Sequence, residues 1–194
     1  AIFIASPSST HYYYLDLFRK NYSGYIFCEK PPVTSQRELN EVECFHKSQK
    51  NRIYFNFSYR FSRFAKVCAE IINNGRFGVP ISLGFRCSRG SAFQENYKHD
   101  WRNQSDKIFD NIIGNLGIHY VDLSNMLLGN IRSVSCYAEK ISDLTKSWDS
   151  IVLNMERENG LPVSVFLSYA CPFEDAAHLI FSDGIIEYIN CEVS

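Results

Sequence analysis

The sequence predicts an α/β plus α+β protein: a partial doubly wound parallel sheet, then a domain built on a large, mostly antiparallel open sheet. Three observations carry this expectation. Over residues 1–58, short apolar runs rich in Ile, Phe and Tyr alternate with stretches of helical periodicity, in the strand–helix–strand–helix–strand order of a parallel unit. After Gly129, strand-like runs follow one another with tight turns and no helix-length segment between them. Between these regions the pattern changes at residues 58–62, which sets the division into domains at 1–58 and 59–194.

Each element has a local reason. Residues 1–5 read as a buried strand closed by Ser6-Pro7-Ser8-Ser9-Thr10, with Thr10 the expected N-cap of a helix running to about Asn21. Gly24 resets the chain into a strand over 25–28, which stops at Glu29-Lys30-Pro31-Pro32. Ser35 and, three residues later, Glu38 form a capping-box pattern for a helix to about Lys47, with Leu39, Val42 and Phe45 as its apolar face. Residues 53–57 form the third strand. Phe64, Val67, Cys68, Ile71 and Ile72 then give helical periodicity, ended by Asn74-Gly75, Gly78 and Pro80. Residues 81–87 are strand-like, 88–105 polar and irregular, and 111–128 helical up to Gly129. Strands are expected at 131–138, 150–156, 163–169, 177–181 and 185–189, with hairpin signals at Glu158-Asn159-Gly160 and Ser182-Asp183-Gly184.

Composition narrows the function classes. A chain of 194 residues supports one good core or two small ones, and a net charge of −1 argues against nucleic acid or an anionic membrane as the main partner. No run of eighteen apolar residues is present to span a bilayer. The seven cysteines (28, 44, 68, 87, 136, 171 and 191) contain no Cys-x-x-Cys pair, which argues against a disulfide framework and a structural zinc site. Reduced, buried thiols in a cytoplasmic protein are expected. The chain opens at Ala1 directly into a strand, with no signal-peptide pattern, and ends at Ser194 without a closing signal. It therefore reads as an internal fragment or an incomplete gene product.

Two groups of residues could carry chemistry. Lys30 follows a buried strand directly, and the carboxyl ends of parallel strands are where α/β sheets bind ligands. Pro31 biases Lys30 to extended backbone, and Glu29 is placed to orient it or to bond a ribose hydroxyl. Taken alone, Lys30 reads as a surface lysine at a loop start, with Pro31-Pro32 merely ending the strand. In the second group, Asn115, His119 and Asp122 fall on one face of a helical pattern whose neighbouring face carries Ile112, Leu116, Leu123 and Leu127. Gly114 and Gly117 inside that helix imply close approach by another backbone or a flat ligand. Alone, His119 reads as a semi-buried histidine at a helix contact; the combination with Lys30 reverses that. Ser6-Pro7, with His11, is a weaker signal: Ser6 and Pro7 lie at the same sheet edge as Lys30 and suit a cofactor wall and an ordinary turn and cap equally. Trp101-Arg102 is a weaker signal, while Arg86 and Arg89 are candidates to clamp a carboxylate or phosphate. His46, His99 and His178 form no ligand spacing, so no metal is expected.

Several segments occur in the order of a known family: residues 4–11, Cys28-Glu29-Lys30-Pro31, Tyr59-Arg60-Phe61, Gly75-Arg76-Phe77-Gly78, and Gly117-Ile118-His119-Tyr120-Val121-Asp122-Leu123 through Gly129. Together they resemble the glucose–fructose oxidoreductase/inositol dehydrogenase (Gfo/Idh/MocA) family. The resemblance covers essentially the whole chain. It implies the later part of a Rossmann domain over 1–58 and a substrate and oligomerisation domain over 59–194, incomplete at its C-terminus. It also implies NAD or NADP as cofactor, a sugar or nucleotide-sugar substrate, and a homo-oligomer formed through the open sheet.

On this resemblance Lys30 touches both the nicotinamide ribose and the substrate hydroxyl, and His119 is the acid/base at the carbon being oxidised. Ser6, Pro7, His11, Glu29, Pro31, Trp101 and Arg102 fall among the cofactor contacts, and Arg89, Asn115 and Asp122 among the substrate contacts. Asn115 stands where many members carry Asp. With Ser88-Arg89-Gly90 and the Trp101 region, it resembles the branch that oxidises C3 of nucleotide-linked amino-sugar uronates. The family's glycine-rich first turn would precede Ala1, which puts cofactor binding by these 194 residues in question. The rival expectations are a non-catalytic binding member of the same fold and an inactive fragment.

Overall fold

A computed structural model describes residues 1–49, 52–100, 103, 112–190 and 192–193. The chain divides into two compact units, the first formed by residues 1–57 and the second by most of the chain from Ser58 onward.

The first unit is a three-stranded parallel sheet of β1 (Ile2–Ile4), β2 (Ile26–Cys28) and β3 (Ile53–Phe55), in that spatial order. Ile4, Cys28 and Phe55 are register partners, so the carboxyl ends of all three strands are level. Helices α1 (Ser8–Asn21) and α2 (Gln36–Gln49) supply Leu15, Val42 and Phe45 to the core with Ile4, Ile26 and Ile53. On the sheet, Phe3, Phe27 and Tyr54 stack in a ladder at centroid spacings of 5.1 and 5.2 Å. Phe3 is 74% exposed.

Local chemistry shifts some boundaries. Helix α1 begins at Ser8, not after Thr10, because the Pro7 carbonyl accepts from the Thr10 N–H at 2.8 Å and no side chain caps the end. Thr10 therefore lies inside the first turn, with its hydroxyl also donating to Pro7 O at 2.8 Å. At α2 the Ser35 hydroxyl accepts from the Glu38 N–H at 3.3 Å as the capping pattern requires. The Glu38 carboxylate reaches one residue further back than the pattern, to the Thr34 N–H at 2.8 Å. Leu39, expected on the buried face, is exposed.

The second unit is a seven-stranded sheet in the order β10-β9-β8-β4-β7-β6-β5. Its strands are β4 (Pro80–Ser88), β5 (Ile131–Glu139), β6 (Ser150–Arg157), β7 (Pro162–Ser168), β8 (Glu174–Phe181), β9 (Ile185–Ile189) and β10 (Glu192–Val193). Every neighbouring pair is antiparallel except β4 with β7. The expected hairpins at Gly160 and Gly184 join β6 to β7 and β8 to β9, while β10 has no counterpart in the sequence reading. Alternation puts Leu83, Phe85, Val163, Val165 and Leu167 in one buried layer with Phe64, Cys68, Tyr120 and Leu123 from the helices α3 (Arg63–Asn74) and α4 (Ile118–Leu128). Helix α3 is capped by the Ser62 hydroxyl, which accepts from the Ala65 N–H at 3.1 Å, and it ends at Gly75 in the left-handed region (φ 64°).

Arg157 is fully buried, donating to Asn125 Oδ1 at 2.5 Å and to the Gly129 carbonyl at 2.6 Å. It thus closes the C-terminal end of α4, where a cation is favoured. Burial lowers the pKa of its guanidinium. No helix among the described residues is long and apolar enough to cross a membrane.

Candidate functional site

In the first unit the site begins at the level strand ends. Glu29 leaves the sheet after its N–H donates to Ile4 O at 2.9 Å. Its carboxylate then turns back: Oε1 accepts from Asn56 Nδ2 at 2.6 Å, and Oε2 lies 3.3 Å from the Lys30 N–H. The Lys30–Pro31 peptide is cis. On the other side of Lys30, the Pro31 carbonyl lies 2.7 Å from His11 Nδ1, and His11 Nε2 lies 2.7 Å from the Ser6 carbonyl. His11 is only 1% exposed. Both ring nitrogens are engaged by backbone carbonyls inside the unit, and the ring fastens two loops together. Ser6 and Pro7 stand at the end of β1, with Ser6 Oγ 2.6 Å from Thr10 Oγ1. Cys28 is a core thiol that burial pushes up to about 12.

In the second unit His119 lies in the first turn of α4 and is 8% exposed. Its ring stacks on Tyr59, with centroids 4.4 Å apart and planes 15° from parallel. Tyr59 lies in the 3₁₀ turn Ser58–Phe61, and its ring also meets Tyr120 edge-on at 5.4 Å. Burial raises the pKa of both phenols, so both are neutral hydroxyls at ordinary pH. The Tyr120 hydroxyl is 3.5 Å from Asp175, which pairs at 3.4 Å with Arg89. Arg89 also lies over the Phe173 ring, and Arg86 pairs with Glu174 at 3.0 Å.

The helix leading to His119 departs from the expected uniform α pattern. Ile113–Gly117 is a π-helical turn, in which the Ile118 N–H reaches back to Ile113 O. Periodicity cannot separate the two forms, and the wider turn changes how Asn115 projects relative to His119. The Asn115 amide donates to the Tyr169 hydroxyl at 2.8 Å. Gly117 has a sterically specific cause: a Cβ there would stand 3.1 Å from Leu167 Cδ1 and 3.4 Å from Ile113 Cγ2, so the glycine allows the turn to lie directly on β7.

Asp122, read as a substrate contact, has both carboxylate oxygens taken by Arg60, at 2.7 Å from Nε and 2.5 Å from Nη2. That bidentate pair fastens α4 to the 3₁₀ turn carrying Tyr59 and raises the pKa of Arg60. Trp101 and Arg102 lie outside the described residues. Among the described residues no group of three or more His, Cys, Asp or Glu is placed to hold a metal ion.

Asn56 and the stacking role of Tyr59 were not found from sequence. Tyr59 lies within one of the segments of family resemblance, but its contact with His119 spans sixty positions. Asn56 follows an ordinary strand and carries no local signal.

A parallel α/β unit with level strand ends is thus followed along the chain by a mixed-sheet unit carrying a helix-borne histidine. The family model described as GFO/IDH/MocA C-terminal domain matches residues 66–187. The chain belongs to the GFO/IDH/MocA family. It is 26% identical over 124 residues to a glucose-6-phosphate 3-dehydrogenase of Bacillus subtilis, covering 63% of this chain and 35% of that protein. To an inositol 2-dehydrogenase of Salmonella paratyphi B it is 26% identical over 156 residues, covering 79% and 43%. Its fold matches that of a levoglucosan dehydrogenase solved in complex with NADH and levoglucosan. The TM-score is 0.82 at 18% identity, with 96% of this chain and 53% of the other covered. The chain thus spans less than half the length of these two curated relatives.

Proposed function

We propose that the protein of which these residues form part is an NAD(P)-dependent oxidoreductase acting on a secondary hydroxyl of a sugar or nucleotide sugar. The observation that carries this reading is His119: a nearly buried imidazole at the start of α4, held face-on by Tyr59 in a chain that belongs to this family. In the proposed reaction His119 takes the hydroxyl proton, while the Lys30 amine hydrogen-bonds the hydroxyl oxygen and stabilises charge developing on it. A bound NAD(P) would supply the hydride acceptor for the carbinol carbon. The stack on Tyr59 limits rotation of the imidazole, and the Arg60–Asp122 pair holds the turn that carries Tyr59. Asp122 then acts as an anchor for His119 and not as a direct substrate contact.

The first unit suits the nicotinamide end of the cofactor. Ser6, Lys30 and Asn56 each stand just beyond one of three level strand ends, at the edge where such sheets bind ligands. Residues 5–8 and 29–35, which join strand to helix there, contain no glycine, so no residue of this chain is assigned to the pyrophosphate. The finer substrate assignment, C3 of an amino-sugar uronate, is supported by Asn115 and by Arg89 with its half-buried guanidinium. We assign self-association to the uncovered face of the large sheet.

The test follows NADH absorbance with a panel of sugars and nucleotide sugars in the natural polypeptide. His119→Ala and Lys30→Ala are each expected to lower turnover by at least roughly a hundredfold, the scale of lost general acid–base catalysis. Near-normal rates in both variants would sink the assignment.

A further inference from the structure

We propose that His11 and Asn56 are positioning residues that brace the carboxyl edge of the parallel sheet and fix how the Lys30 amine is presented. This rests on the reading of Lys30 as the group that binds the reacting hydroxyl.

The sheet itself stops holding the chain just before Lys30. The last ladder bonds at this edge run from the Glu29 N–H to Ile4 O and from the Asn56 N–H to Cys28 O, at 2.9 and 2.8 Å. Beyond them side chains take over. Asn56, just past β3, donates 2.6 Å to Glu29 Oε1, and the other oxygen of that carboxylate faces the Lys30 N–H at 3.3 Å. His11, from α1, meets Pro31 O on one nitrogen and Ser6 O on the other, both at 2.7 Å.

The residues on either side of Lys30 are therefore tied to partners 27 and 20 positions away. The same ties link the ends of β1, β2 and β3 through Ser6, residues 29–31 and Asn56. Glu29, which the sequence suggested for a ribose hydroxyl, already has one oxygen committed within this brace.

The two anchors differ in kind. Asn56 is exposed, so its side chain contributes little to the core. His11 is buried between two carbonyls, which only accept; a neutral ring donates to one of them and a protonated ring to both. An error of about 1 Å in presenting a reacting group costs on the order of a hundredfold in rate, so loosening one tie should appear in turnover before it appears in folding.

A double-mutant cycle in the natural polypeptide tests the brace. Asn56→Ala and His11→Ala are expected to lower kcat about tenfold or more, with KM for the substrate within about twofold. In a Lys30→Ala background each should cost less than about twofold, because its effect passes through Lys30. In the 194-residue chain, the Lys30 amide should exchange hydrogen faster in Asn56→Ala while the melting temperature holds. If His11→Ala does not fold, Asn56→Ala on its exposed side chain carries the test. Equal losses with and without Lys30, or no loss in kcat from Asn56→Ala, would overturn the brace. Unchanged turnover in Lys30→Ala alone would overturn the reading of Lys30, a separate result.

Discussion

Cys28 and Cys68 are 1% and 0% exposed, and burial pushes both thiols from 9.0 up to about 12. Only a minute fraction of either is thiolate at pH 8, and the thiolate is the reactive form. The sequence had suggested buried thiols throughout, yet Cys44 on α2 and Cys136 on the edge strand β5 are exposed, because both sit at positions the packed layer does not reach. Native labelling at pH 8, read by peptide mass, is expected to modify Cys44 and Cys136 first and to reach Cys28 and Cys68 only on unfolding. Early labelling of Cys28 would contradict its burial. The same shift has a consequence for stability. A raised folded-state value means that the native form holds the thiol proton more tightly, so the stabilisation is complete below about pH 9 and is lost as pH rises toward 12. Melting temperature should therefore fall over that alkaline window, and less steeply in Cys28→Ala/Cys68→Ala than in the unsubstituted chain.

The π turn at Ile113–Gly117 shows where a helical reading of sequence stops. Apolar spacing located the helix, its stop at Gly129 and the exceptional glycine, but i+4 and i+5 turns share nearly the same pattern. Gly117 gives the sharper test because two effects oppose each other there. Alanine would gain about 1 kcal/mol of helix propensity. Its Cβ would stand 3.1 Å from Cδ1 of Leu167, a fully buried side chain in the middle of the sheet with little room to give. Overpacking costs about 1–3 kcal/mol, so the clash is expected to win and Gly117→Ala to lower the melting temperature. A stabilised variant would show that the turn can lift off β7.

Other elements were plain from local signals: the Gly75 end of α3, the two hairpins, and the parallel pairing of β1 to β3. The ties that shape the site were not, because they join residues far apart in sequence. Arg60 meets Asp122 across 62 positions, and His11 meets Pro31 across 20. Nothing in the local sequence of any of these residues names its partner. Lys30 and His119 were visible because their neighbours, a proline and two glycines, break the local rules for strand and helix.

Within the second unit, the seven-stranded sheet packs α3 and α4 against one face, and its other face carries no helix of that unit among the described residues. Small side chains lie across the middle of that face: Gly84, Ser82, Ser135 and Ser164, with Asn154, around a groove of about 880 Å³. An ion pair, Arg86 with Glu174, and a hydrogen bond between His178 and Glu187 flank it. Small residues let two sheet faces approach closely, and a two-fold arrangement would match each hydroxyl with its counterpart. Edge-to-edge growth is less suited, since β5 exposes Arg132 paired with Glu156 and charges of this kind discourage strand addition. The proposed interface is therefore face to face, and a stable one needs roughly 1,600 Å² of total buried area. Light scattering after size exclusion is expected to give a dimer or larger assembly for the protein. Ser164→Arg, which places a long charged side chain at the centre of the exposed face, should yield monomers with an unchanged circular dichroism spectrum. A protein that is monomeric at tens of micromolar, or an assembly indifferent to Ser164→Arg, would remove this face from consideration.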